Sequence, residues 1–311
     1  ASALSKSNIS RRRKPFFCSI FPFTKDIIDM TDLKKHLIKA LTFWIFPKPL
    51  KKQATGHLQY LFGLSSAKPA PLLEQFIYRR TQRNFIKTHR VDNIFAYRII
   101  SLGTSCLSRT LPTQWGLKPR KNQGELSYPF DLSVNTLPAI VKYVSNDFSG
   151  YFDDLYYDNT LKVWKNRTDG TIYNHDLDCS AEERNKFIER FNRRIDNFRQ
   201  ILEQDSKPAI FISHYNIDTP IVTDEVYRLY DKLYRTLTAK RQNRVFKMLI
   251  VDLSGKLKSN RLPPEIILCS YPYLPASYIW YQNDYRQTKI GLQFELSLAQ
   301  TLFKLIFQLQ S

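Results

Sequence analysis

The stretch Ile99-Ile100-Ser101-Leu102-Gly103-Thr104-Ser105-Cys106 decides how the chain is read. Tyr97 to Leu102 is a short, mainly apolar run of the kind that forms a buried strand. Gly103 breaks the run, Cys106 follows, and Leu107-Ser108-Arg109-Thr110-Leu111 can open a helix. A strand, a glycine turn and a helix N-terminus would put Cys106 where backbone N–H groups point. That position favours a thiolate over a thiol and suits the oxyanion of an acyl-transfer intermediate. The bland alternative is a small cysteine packed against a glycine turn.

Downstream the pattern repeats. Pro208-Ala209-Ile210-Phe211-Ile212-Ser213, Phe246 to Asp252 and Glu265 to Ser270 read as further strands. Between and after them, Asp224 to Lys240 and residues 289–309 read as helices. Ser180, with Glu183 three residues on, forms a capping box. The helix it opens carries Phe187, Phe191, Ile195, Phe198 and Leu202 as one apolar stripe. Continuously apolar strands alternating with helices predict an α/β fold, a doubly wound and mainly parallel sheet with helices on both faces. The site is then expected at the carboxyl ends of the strands, where Cys106 and His214 both follow directly.

The charge is uneven. The 311 residues carry a net +19, and residues 1–98 hold 19 Lys and Arg against only 5 Asp and Glu. This divides the chain into a basic, helical N-terminal arm at 1–94 and a catalytic-type domain at 95–311. In the arm, Arg11-Arg12-Arg13-Lys14 precedes four phenylalanines. A helix is expected from Thr31 or Asp32 to about Phe46, and a second, basic one over 72–90. Such a region suits peripheral contact with an anionic membrane; nucleic acid is the less favoured partner. No apolar run in the sequence approaches the roughly 18 to 20 residues of a membrane span. Cysteines 18, 106, 179 and 269 are widely spaced and fit neither a metal pattern nor a disulfide framework. Free thiols and a cytoplasmic location, in places against the inner membrane, are the expectation. No glycine-rich phosphate loop, HExxH or paired CxxC is present, so no cofactor or metal is implied.

Four blocks carry a resemblance: Ser101-Leu102-Gly103-Thr104-Ser105-Cys106, Tyr128-Pro129-Phe130-Asp131, His175-Asp176, and Phe191-Asn192-Arg193-Arg194-Ile195 with Phe198. In this order they resemble a bacterial family of papain-like cysteine peptidases, largely of unknown function, over roughly residues 97–270. The resemblance implies a nucleophile at Cys106 and a histidine partner at His175. Topology alone offers His214 as a competing base. Asp131 is the leading orienting acid, with Asp252 behind it. Arg193 and Arg194 resemble family positions and could clamp an anionic group, while Ser105 sits beside the nucleophile.

The expected function is a cysteine-dependent hydrolase working through an acyl-enzyme. An acyltransferase acting on a surface glycan is the enzyme alternative. A basic, non-catalytic protein for nucleic acid or a membrane surface is the other. Helix N-terminus and imidazolium together predict a Cys106 pKa below that of an ordinary thiol.

Overall fold

A computed structural model describes residues 70–176, 179–216 and 223–310, with short helical stretches at 34–39, 41–42, 54–55, 58–59 and 61. The chain divides into two units, residues 1–68 and 69–311. In the first, the Thr42 hydroxyl donates to the Ile38 carbonyl one helical turn back, at 2.7 Å. The Arg11–Lys14 cluster, the phenylalanines after it, Cys18 and the expected helix end at Trp44 to Phe46 lie outside the described residues.

The second unit is built on four parallel strands, β1 (Arg98–Ser101), β5 (Ala209–Tyr215), β6 (Phe246–Asp252) and β7 (Ile266–Ser270), side by side in that order. All seven residues of β5 are buried, because it has a strand on each side and a helical layer on each face. Side chains alternate strictly between the layers. Ile100, Phe211, Met248 and Ile250 face one core; Ile99, Ile210, Ile212, Leu249 and Val251 face the other. The first core is closed by α3 (Leu137–Ser145), α4 (Arg184–Glu203) and α5 (Asp224–Arg241). The second is closed by α1 (Leu72–Thr88), α2 (Leu107–Gln114) and α7 (Lys289–Gln310), which follows the short α6 (Asn283–Arg286). The α/β architecture is thus as expected. The strand order runs one way along the chain, so the second face is covered by helices from the two ends of the unit and by α2, not by crossovers beyond a reversal.

The expected domain boundary at 94/95 moves to 68/69. Helix α1 belongs to the main unit because it turns Tyr78 and Phe85 inward, leaving Leu73 and Phe76 exposed. Phe85 packs edge-on against Trp115 at 5.2 Å between ring centres. A chain beginning at Pro69 should therefore unfold cooperatively, whereas one beginning at Val91 should lose several kcal/mol, since each buried aromatic contributes about 3–5 kcal/mol. Urea titration of the two truncations checks this; equal midpoints would return α1 to the arm.

Helix α7 is, by length and composition, apolar enough to cross a membrane. Here its stripe Phe294, Leu298, Leu302 and Ile306 packs on the sheet. It also carries Glu295, which is buried. That carboxylate accepts hydrogen bonds from the Tyr78 hydroxyl (2.7 Å), the Trp115 indole (2.8 Å) and Arg286 Nε (2.6 Å). One ion pair with two neutral donors therefore ties α1, α2, α6 and α7 together.

A second, antiparallel sheet comprises β2 (Leu155–Asp158), β3 (Val163–Asn166) and β4 (Ile172–Tyr173). It is pinned to the segment before α3 by a bridge between Val134 and Ile172. It also packs on α4, with Tyr173 4.9 Å from Phe191 between ring centres.

Candidate active site

Just beyond β1, the Leu102 N–H still donates to the Ile212 carbonyl of β5. Gly103 then turns the chain with φ +70°, and a Cβ there would stand 2.8 Å from Ile140 Cδ1. Alanine at 103 is expected to cost roughly 1–2 kcal/mol, mainly from the left-handed backbone, read as a lower thermal midpoint. Cys106 occupies the N-cap position of α2 and is half-buried. The strand–turn–helix geometry read from the sequence is therefore present.

The loop is held from below by His214, at the end of β5. Its Nε2 lies 2.9 Å from the Thr104 hydroxyl and 3.0 Å from that of Ser105; its Nδ1 lies 3.3 Å from Ser108 Oγ. The ring is wholly buried, and burial pushes its pKa down to about 4. A neutral imidazole surrounded by three hydroxyls organises the Cys106 loop. Protonation is costly there. Because the folded pKa lies below the ordinary 6.5, the unfolded chain binds the proton first as pH falls. Stability is then complete above about pH 6.5 and declines toward pH 4, by roughly 3 kcal/mol for a shift of this size. Denaturant titration between pH 7.5 and 4.5 should show this slope, and His214→Gln should flatten it.

His175 arrives by another route. It lies two residues beyond β4, exposed, on the turn that leaves the small sheet. Next to it, Asp176 is buried and gripped by α4: Arg194 donates to both carboxylate oxygens, at 2.9 and 3.0 Å, and Arg190 adds a contact of 2.8 Å. Asp176 thus anchors the loop to α4.

Cys106 and His175 line one cleft of about 580 Å³ at the carboxyl ends of the parallel strands. Ser105, Asn216 and Leu253 come from the segments after β1, β5 and β6; Val134 and Asn174 come from the small-sheet side. Tyr278, Ile279, Trp280 and Tyr281, after β7, form the remaining wall. Among the described residues no hydrogen bond joins the Cys106 thiol to His175.

Of the other expected site residues, only Ser105 lines this cleft among the described residues. Asp131 is buried; its carboxylate accepts from the Tyr128 N–H at 3.0 Å and faces Arg109 Nε at 3.7 Å. It makes no hydrogen bond to His175. Asp252 is consumed by its own loop, accepting from the backbone N–H groups of Ser254, Gly255 and Leu257. Arg193 is exposed on α4 and does not line the cleft. Arg194 is committed to Asp176. Ser105 lines the cleft.

The electrostatics correct one expectation. Burial raises the Cys106 pKa above that of an ordinary thiol, outweighing the downward pull of its backbone N–H, the Thr110 hydroxyl and Arg109. Partial desolvation, with Arg109 and Arg194, lowers that of His175, although Asp176 opposes this. The resting state is therefore a neutral thiol and a neutral imidazole. Arg109 acts on both groups, and the sequence pointed to it only as part of a helix start. Arg109→Met should move both pKa values upward, which the pH dependence of Cys106 alkylation and of the His175 ring resonances would record.

Fold and site together define an α/β protein with a cysteine at a helix N-terminus and a histidine sharing its cleft. The chain belongs to the family described as "Putative papain-like cysteine peptidase", whose model matches residues 97–254. At a coarse level this is a cysteine-hydrolase family. No curated protein and no solved structure matches the chain.

Proposed function

We propose that the protein is a cysteine-dependent hydrolase in which Cys106 is the nucleophile and His175 the general base. The observation that carries this reading is the shared cleft: the thiol at the start of α2 and the one solvent-facing histidine described there line the same cavity. His214 is the weaker candidate because it is buried, neutral and occupied by hydroxyls.

The chemistry follows from the neutral resting pair. His175 removes the Cys106 proton as the sulfur attacks a substrate carbonyl, so that the C–S bond forms while the carbonyl oxygen becomes an oxyanion. Backbone N–H groups of the first turn of α2 are suited to receive that charge. Collapse of the intermediate expels the leaving group, which takes the proton from the imidazolium. Water, deprotonated by His175, then cleaves the acyl thioester and restores the thiol. A gap between thiol and imidazole in the free enzyme is common and closes when substrate binds.

The test is mass spectrometry after exposure to a panel of acyl thioesters and activated esters. A single acyl adduct on the tryptic peptide containing Cys106, absent in Cys106→Ala, is expected. Adducts spread over Cys106, Cys179 and Cys269, or none, would overturn the reading.

A further inference from the structure

The wall of the cleft after β7 carries information that the nucleophile does not. Tyr278, Ile279, Trp280 and Tyr281 follow the last strand, beyond residue 254 where the family match ends. Trp280 is half-buried and Tyr281 is exposed; their rings meet edge-to-face, 5.7 Å apart. Asn174 and Asn216 line the same cleft, the Asn216 side chain also hydrogen-bonding the buried His214. Among the described residues, none that lines the cleft carries a formal charge. Of the cations on neighbouring segments, Arg109 faces Asp131 at 3.7 Å, and Arg190 and Arg194 hold Asp176. In a chain of net +19, a cleft whose described lining holds no cation is a poor receptor for a carboxylate or phosphate.

Resting on the reading of Cys106 as nucleophile, we propose that the cleft takes an uncharged, peptide-like acyl group with an aromatic or branched aliphatic side chain, and that Trp280 and Tyr281 select it. A flat indole and phenol supply apolar contact area at small entropic cost. A side-chain amide offers one donor group and one acceptor, the complement of a peptide unit. The family segment thus supplies the reacting groups and the segment after β7 the selectivity.

Two readouts separate this inference from the proposed chemistry. In full-length Cys106→Ala, ligand-observed NMR would compare N-acetyl-glycyl-X-amides with X = Phe, Leu, Glu and Lys. Phe and Leu should bind at least about tenfold more tightly than Glu or Lys, the scale of apolar-pocket discrimination. Trp280→Ala, placed in the same background, should erase most of that preference. In the full-length protein with Cys106 intact, the matching thioesters report acylation of Cys106. Acylation without preference among the four, or tighter binding of Glu or Lys, would overturn the selectivity inference and leave Cys106 chemistry standing. Selective binding without acylation would instead remove the nucleophile and keep the cleft's preference.

Discussion

Replacing Cys106 with alanine is expected to lower turnover of any acyl substrate by about 10⁴-fold or more, because no second thiol is among the described residues that line the cleft. His175→Ala should cost about 10²- to 10⁴-fold, the usual worth of a general base. The pH profile carries the finer point. His175 is held below its ordinary value by partial desolvation and two arginines. The acid limb of kcat/KM should therefore fall below pH 6.5, since activity requires the unprotonated ring and that form persists to lower pH. Cys106 is pushed the other way by burial. Alkylation by iodoacetamide should accordingly be slow at pH 6 and climb with pH beyond the range of an ordinary thiol. Fast, selective labelling at pH 6 would mean a pre-formed thiolate–imidazolium pair and would contradict the neutral resting state. In either case turnover by Cys106→Ala at an undiminished rate would end the proposal.

The second large effect concerns stability. Glu295→Leu removes the only carboxylate that described contacts offer to Arg286, whose guanidinium also donates to the Tyr78 hydroxyl at 2.8 Å and to Gln114. An uncompensated, largely buried cation typically costs about 3–5 kcal/mol. In a unit of this size that corresponds to a drop of roughly 10 °C in Tm. Glu295→Gln keeps an acceptor for Tyr78 and Trp115 and should fall between the two. Differential scanning calorimetry of the three proteins provides the measurement. Equal midpoints would mean that Arg286 finds solvent when its partner is gone.

The parallel sheet was legible because its strands are buried on both faces, so Ile210 to Ile212 and Leu249 to Val251 read as unbroken apolar runs. The stripe from Phe187 to Leu202 was legible for the related reason that one helical face meets one core. The small sheet was not. Tyr156-Tyr157 is half-buried and Val163-Trp164 buried, but each strand is only four residues long, and their signal lay in the turn between them, where Asp158 Oδ1 accepts from the N–H groups of Thr160 and Leu161. The role of α1 was hidden because Tyr78 and Gln75, not Leu73 and Phe76, face inward. At the site, the turn that carries Cys106 was readable from Gly103 and Cys106 alone. The commitments of Asp131, Asp176 and Arg194 were not, since carboxylate pairing is decided by residues up to 22 positions away, as with Arg109 and Asp131.

One consequence of the Asp176 clamp reaches beyond the cleft. The thiol rides on the parallel sheet, whereas the imidazole is a passenger of α4, fastened there by Asp176 and by the edge-on packing of Tyr173 against Phe191 of that helix. The separation of the proposed nucleophile and base is therefore a mechanical coordinate, and α4 is its lever. Substitutions along the buried stripe of that helix, such as Phe191→Leu, should leave thiol reactivity intact while slowing turnover. Rate and nucleophilicity would part company because the force that aligns them is transmitted through a helix that touches no substrate.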